Sequence, residues 1–205
     1  LQPRKKHARA NAMTTISMPP ALARRRGYAG PALFSYGFRP FFLGGALWAA
    51  LGVPLWLFLY LGEIDLPTAM SPVDWHVHEM LYGYVPAIVA GFLLTAIPNW
   101  TGRLPVNGLP LAALAALWLA GRIAILFSAS IGAWTAGVID LAFIVCFAGL
   151  ALREIVAGRN WRNLRVLAML GVLFAGNLVF HYEAIEYGYA IDGTRIGLAA
   201  VLMLI

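Results

Sequence analysis

Charge is scarce in this sequence. Only 12% of its 205 residues are Asp, Glu, Lys or Arg, against 61% hydrophobic, whereas a soluble domain carries about 25% charged residues. Too few polar side chains remain to dress a water-facing surface, which excludes an ordinary soluble domain. Cysteine is scarcer still: the lone Cys146 sits inside an apolar block. That excludes an intramolecular disulfide and any CxxC metal or haem-attachment motif within these residues, and Cys146 reads as a small packing residue. Nor does the charge pattern form a nucleic-acid-binding face. A net charge of +6 and a pI near 9.8 suggest one only when position is ignored. Arg4, Lys5, Lys6, Arg9, Arg24, Arg25 and Arg26 crowd the N-terminal end, and most other basic residues fall between apolar blocks. That spacing sets membrane topology.

What the sequence does have is long apolar runs, at a mean hydropathy of +0.76. A membrane helix needs about 20 residues to cross a core of about 30 Å. Five blocks reach that length within a few residues: 41–61, 79–98, 109–127, 134–152 and 166–181. A sixth begins near Ile196 and stops at Ile205. A spanning helix cannot leave its last carbonyls in lipid, so the chain is expected to continue. The expected fold is all-α, a polytopic transmembrane helix bundle of five complete spans and a truncated sixth. Residues 1–38 read as a basic cytoplasmic tail, partly disordered, with Met13 and Met18 as alternative starts; residues 39–205 read as one transmembrane domain.

Basic residues orient the spans. Arg39 precedes the first, Arg103 follows the second, and Arg153, Arg159, Arg162 and Arg165 separate the fourth from the fifth. The alternate loops, 62–75 and 128–133, hold no Lys or Arg, while Glu63, Asp65, Asp74, Glu183, Glu186 and Asp192 gather on their side. The N-terminus is therefore expected in the cytoplasm. Trp100 and Trp161 mark the inner boundary, and Trp75, Trp134, Tyr182 and Tyr187 the outer, as interfacial anchors. Small residues spaced by four, Gly83-Ala87-Gly91 and Ala112-Ala116-Ala120, offer stripes for close helix packing. Pro54 and Pro86 are placed to kink the first two spans.

Polar residues inside the spans collect in the outer half. Arg122 and Asp140 lie at matched depth in adjacent antiparallel spans, and neither is tolerable alone in lipid. A bridge between them is expected, with Asn177 nearby. His76 and His78 enter the second span and His181 leaves the fifth, at the same level. Imidazole ligates copper, iron and haem iron. If the helix is formed at His76, then His76, Glu79 and Gly83 share a face while His78 points about 200° away. One histidine then serves a metal or haem, and the other bonds a loop or serves a separate centre. His181 would supply a second ligand, and Gly83 would leave room for a flat macrocycle.

The run from Asp74 through Trp75-His76-Val77-His78-Glu79-Met80-Leu81-Tyr82-Gly83 to Tyr84 is followed by Ala90-Gly91-Phe92-Leu93-Leu94-Thr95-Ala96-Ile97-Pro98-Asn99-Trp100-Thr101-Gly102. Together they resemble the signature of the NnrS family. Phe38-Arg39-Pro40-Phe41-Phe42-Leu43 and Asn177-Leu178-Val179-Phe180-His181 fit as well, and the likeness covers nearly everything after about Phe34. The resemblance implies a bacterial inner-membrane protein of about twelve spans, of which the five and a half counted here are the N-terminal half. The missing half would then pack against this bundle. It further implies haem and copper, and a link to nitric oxide metabolism in denitrifiers and to nitrosative-stress resistance. His76, His78, Glu79 and His181 are the positions it assigns to metal, with His76, His78, His181 and Arg122 around a cofactor. Arg122 would face a haem propionate or an anionic ligand, with Asp140 restraining it, and nitric oxide or another small molecule would be the ligand. A transporter or metal- and haem-handling protein with an outer polar site is the alternative, and a structural role in a respiratory complex a third. Enzymatic turnover does not follow from these residues.

Overall fold

The computed structural model describes residues 28–204, and among them there is helix and no strand. The basic residues up to Arg26, Met13, Met18 and Ile205 lie outside the described residues. Seven helices carry the architecture: α1 (Phe38–Tyr60), α2 (Pro72–His78), α3 (Val85–Thr101), α4 (Gly108–Leu126), α5 (Ala133–Ala157), α6 (Leu164–Glu186) and α7 (Asp192–Leu204). A π-helical segment, Glu79–Tyr84, joins α2 to α3 in one continuous rod. Five helical units are long and apolar enough to cross a membrane: α1, the rod Pro72–Thr101, α4, α5 and α6 with its preceding turn. The chain is a multi-pass membrane protein.

The rod starts earlier than position 79, where hydropathy alone begins it. Ser71 caps α2, its Oγ accepting from the Asp74 amide at 3.1 Å, with Pro72 at the first helical position. This polar cap places His76 and His78 on helix. Pro86 then lacks an amide proton and would crowd the Tyr82 carbonyl. The wide turn is the response: the Val85 amide reaches back five residues to Met80. Trp118 of α4 donates to the Gly83 carbonyl at 2.9 Å within that turn. The irregular turn of the second span thus precedes Pro86.

The rod and α5 form the centre of the bundle. α1 packs on α3, α4 on α5, α5 on both α3 and α6, and α7 along α6. Phe41, Leu94, Leu114, Phe143, Phe147 and Leu173 belong to the main core. α1 is peripheral, and Leu43, Leu47, Leu51 and Phe58 on it face outward into lipid. Gly91 admits the Phe42 ring, which a Cβ there would meet at 2.7 Å. The alanine stripe of α4 behaves otherwise. Ala116 and Ala120 are exposed, and Leu111, Leu114, Trp118 and Gly121 make the packed face instead.

Three other expectations are corrected. Trp75 is no interfacial anchor: it is fully buried beside Leu59, Ala124, Ile125 and Ala136, because the early start of α2 turns it inward. α5 continues through Arg153 and Glu154 to Ala157, beyond the expected end at 152. α6 reaches Glu186, and Glu183 is not loop but a buried cap for α7. Its carboxylate accepts from the amides of Asp192 (3.2 Å) and Gly193 (2.9 Å).

Candidate metal centre

Six polar side chains from four parts of the fold meet in the half of the bundle nearest the acidic loops. The rod brings His78 and Glu79, α4 brings Arg122, α5 brings Asp140, and α6 brings Asn177 and His181 one turn apart on the same face. All six are between 0% and 2% exposed. α1 adds Trp48 at the edge.

The network starts at Arg122. Its guanidinium donates to Glu79 Oε2 at 2.9 Å with one terminal nitrogen and to Asp140 Oδ1 with the other. Glu79 also accepts from Trp48 Nε1 at 2.6 Å. Asn177 donates to Asp140 Oδ2 at 2.7 Å. The expected Arg122–Asp140 bridge is present, but it is a triad, because Glu79 shares the same guanidinium. Two carboxylates on one guanidinium leave the cluster one negative charge in excess while the imidazoles are neutral.

The imidazoles meet that excess. His78 Nδ1 lies 3.2 Å from Glu79 Oε1, and its Nε2 lies 3.1 Å from Asn177 Oδ1 and 3.3 Å from Asp140 Oδ2. His181 Nε2 lies 3.1 Å from the same Asp140 oxygen. Both nitrogens of His78 therefore face oxygen acceptors, whereas a neutral imidazole has one N–H to give. The Asn177 amide cannot simply turn over, since its nitrogen donates to Asp140. While both imidazoles are neutral, the cluster is short of one positive charge and one donor at the same point.

His78, Asp140 and His181 offer three ligand atoms within 4.8 Å of one another. Ligand atoms about 2.0–2.2 Å from a metal ion stand about 3.0–3.5 Å apart at ordinary coordination angles. The 3.1 and 3.3 Å separations around Asp140 Oδ2 have that length. Two glycines make the approach feasible. A Cβ on Gly121 would meet the Asp140 backbone at 3.2 Å, and one on Gly137 the His181 ring at 3.2 Å.

The whole site falls within one recognised sequence unit. A protein-family model described as NnrS protein matches residues 32–205. The chain belongs to the NnrS family. Comparison with curated proteins and with solved structures gives no match. NnrS membership makes this a nitric-oxide-associated membrane protein in general terms.

Of the four residues that the NnrS resemblance marks for metal, the fold gathers His78, Glu79 and His181 in the cluster and sends His76 elsewhere. His78 and His181 point their Nε2 atoms at Asp140. Glu79 is adjacent but engaged by Arg122, Trp48 and the far side of His78. His76 is outside the cluster: its ring stacks on Trp56 of α1 with centroids 4.1 Å apart, and its Nδ1 has no partner among the described residues. The divergence of His76 and His78 follows from their two-residue spacing on a formed helix. Asp140 as a third candidate ligand was missed by sequence reasoning, which paired it only with Arg122; its matched depth with His181 was the available signal.

The space beside Gly83 is not macrocycle-sized, contrary to expectation. A Cβ there would meet Arg122 Nη1 at 2.1 Å, so the guanidinium fills it. A cavity of about 120 Å³ does lie against His181, lined also by Met70, Ile125, Ser128 and Ala133. Pockets that enclose organic ligands run to about 300–1,000 Å³. A porphyrin does not fit between these side chains, whereas His78, Asp140 and His181 are a group that could hold a metal ion.

Proposed function

We propose that this chain holds one copper ion between His78 Nε2, His181 Nε2 and Asp140 Oδ2, and serves nitric oxide metabolism or nitrosative-stress resistance. The observation that carries the reading is the mismatch at His78, whose two buried nitrogens both face oxygens. A metal ion at Nε2 removes it and leaves Nδ1–H to donate to Glu79. Two imidazoles and a carboxylate accept several first-row ions, and copper binds such donors most tightly. Bound copper would supply one-electron chemistry and a position for a small neutral ligand such as nitric oxide. The chain's own residues hold the site. Glu79 fixes the His78 ring, Asn177 and Arg122 fix the Asp140 carboxylate, and Arg122 balances the charge of both acids.

Metal analysis and electron paramagnetic resonance of the full-length protein test this directly. About one copper per chain is expected, lost in His78→Ala, His181→Ala and Asp140→Asn but retained in His76→Ala. Copper content untouched by the first three changes would sink the reading. Haem belongs to the same test: a Soret band that survives both His78→Ala and His181→Ala places haem ligation outside this cluster.

We further infer a bacterial inner membrane with the N-terminus in the cytoplasm, supported by Arg103, Arg153, Arg159, Arg162 and Arg165 all falling at one end. Reporter fusions in the loops at 62–71 and 158–163 check it. The transporter reading draws on one feature, the cavity between His181 and the loop carrying Met70. Net copper flux in proteoliposomes would favour it; bound copper that cycles redox state at fixed stoichiometry favours the first reading.

A further inference from the structure

A cavity of about 590 Å³ lies at the opposite end of the bundle from the histidines. Gly102 ends α3 in a left-handed conformation (φ +68°) and sends the chain across to α5. There Arg103 Nε donates to Glu154 Oε2 at 2.5 Å, and Arg153 Nε stands 3.6 Å from the other Glu154 oxygen. Both arginines line the cavity, with Asn107. One carboxylate answers two guanidiniums, so a positive charge is left over. The terminal nitrogens of Arg103 find no acceptor among the described residues.

Two further observations define what would balance that charge. Trp100, two residues before Gly102 of the cavity lining, and Trp161 are both exposed, and Asn160 ties their segments together by donating to the Trp100 carbonyl at 2.8 Å. Exposed indoles mark headgroup depth. Below the cavity, sharing Pro110 and Leu150 with it, a groove of about 380 Å³ runs between α4 and α5. Its walls are apolar, including Ala113, Leu117, Cys146 and Gly149. A Cβ on Gly149 would meet nothing within 4 Å.

We propose that this end of the bundle binds one anionic phospholipid, its phosphate between Arg103 and Arg153 and an acyl chain in the α4–α5 groove. Guanidinium forks suit phosphate oxygens. Basic pockets between spans at the headgroup level take anionic lipids. The groove continuous with the charge favours a lipid over free phosphate.

Native mass spectrometry of the full-length protein, with phosphatidylglycerol or phosphatidylcholine added, tests the site. The expected result is one phosphatidylglycerol held at least about tenfold more tightly than phosphatidylcholine. Arg153→Gln removes that preference; Arg153 is 69% exposed and leaves the Arg103–Glu154 pair intact, so the fold survives the change. Gly149→Phe fills the groove without altering charge and also loses the lipid. Arg159→Gln, an exposed charge outside the cavity lining, keeps it. Equal weakening by Arg159→Gln and Arg153→Gln would mean a diffuse basic surface and overturn the site. So would equal retention of phosphatidylcholine. Displacement of the lipid by millimolar inorganic phosphate, with Gly149→Phe without effect, would reassign the site to free phosphate and overturn the lipid. Copper content is unaffected by any of these variants, so the outcome is independent of the metal reading.

Discussion

Arg122 and Arg103 stand at opposite ends of the bundle, the first between carboxylates of two helices, Glu79 and Asp140, and the second against one, Glu154. Arg122 is 1% exposed and shared between Glu79 and Asp140, both equally buried. Arg103 keeps 38% of its side chain exposed while pairing with Glu154. Water and lipid headgroups can replace a partner at the Arg103 end, where a guanidinium has other acceptors to turn to. At the Arg122 end nothing replaces a lost oxygen, because the surroundings are packed side chains and hydrocarbon. The same pair of residue types is therefore fully buried at one end, whereas at the other Glu154 is buried and its guanidinium partner stays partly exposed.

That contrast can be broken most severely at Asp140. Asp140→Ala leaves Arg122 with a single carboxylate and strips the acceptor from Asn177 and His181; a loss of about 3–5 kcal/mol is expected. It would be read as a large fall in thermal stability of the detergent-solubilised protein. A smaller effect is expected from Trp48→Phe, which removes the indole donor to Glu79 and keeps the packing; about 1.5–3 kcal/mol fits a hydrogen bond to a charged group. Gly137→Val attacks the geometry rather than the charge. Its side chain would push into the His181 ring, at about 1–3 kcal/mol in chemical unfolding, with copper content falling further than stability does. The mildest change is Glu154→Gln at the other end, expected to cost under about 1 kcal/mol and to lose that cost as salt is raised. A Glu154→Gln effect as large and as salt-insensitive as that of Asp140→Ala would erase the distinction between the ends.

Much of the fold was legible because lipid imposes simple rules on a chain. Apolar length marks a span, and Arg and Lys mark the loops of one side, whatever the partners of each helix are. Boundaries were less legible, since capping and pairing extend helices past their apolar part. Ser71 does so for α2 and Glu154 for α5. Burial could not be read at all for Trp75 or for the α4 alanines, because a span in lipid is apolar on every side.

The sequence by itself determined that this is a multi-pass α-helical membrane chain, with its intramembrane polar residues gathered towards one side and a family signature over residues 32–205. Only the tertiary structure decided which of those polar residues form a site. The widened turn before Pro86, the close passage of α4 and α5 at Gly121, and the rotation of α6 brought His78, Asp140 and His181 to one point. The same geometry sent His76 to Trp56 and put Arg122 where a macrocycle was expected. Depth along a span follows from counting residues, but which way a side chain points around the helix is settled only by the neighbours it packs against.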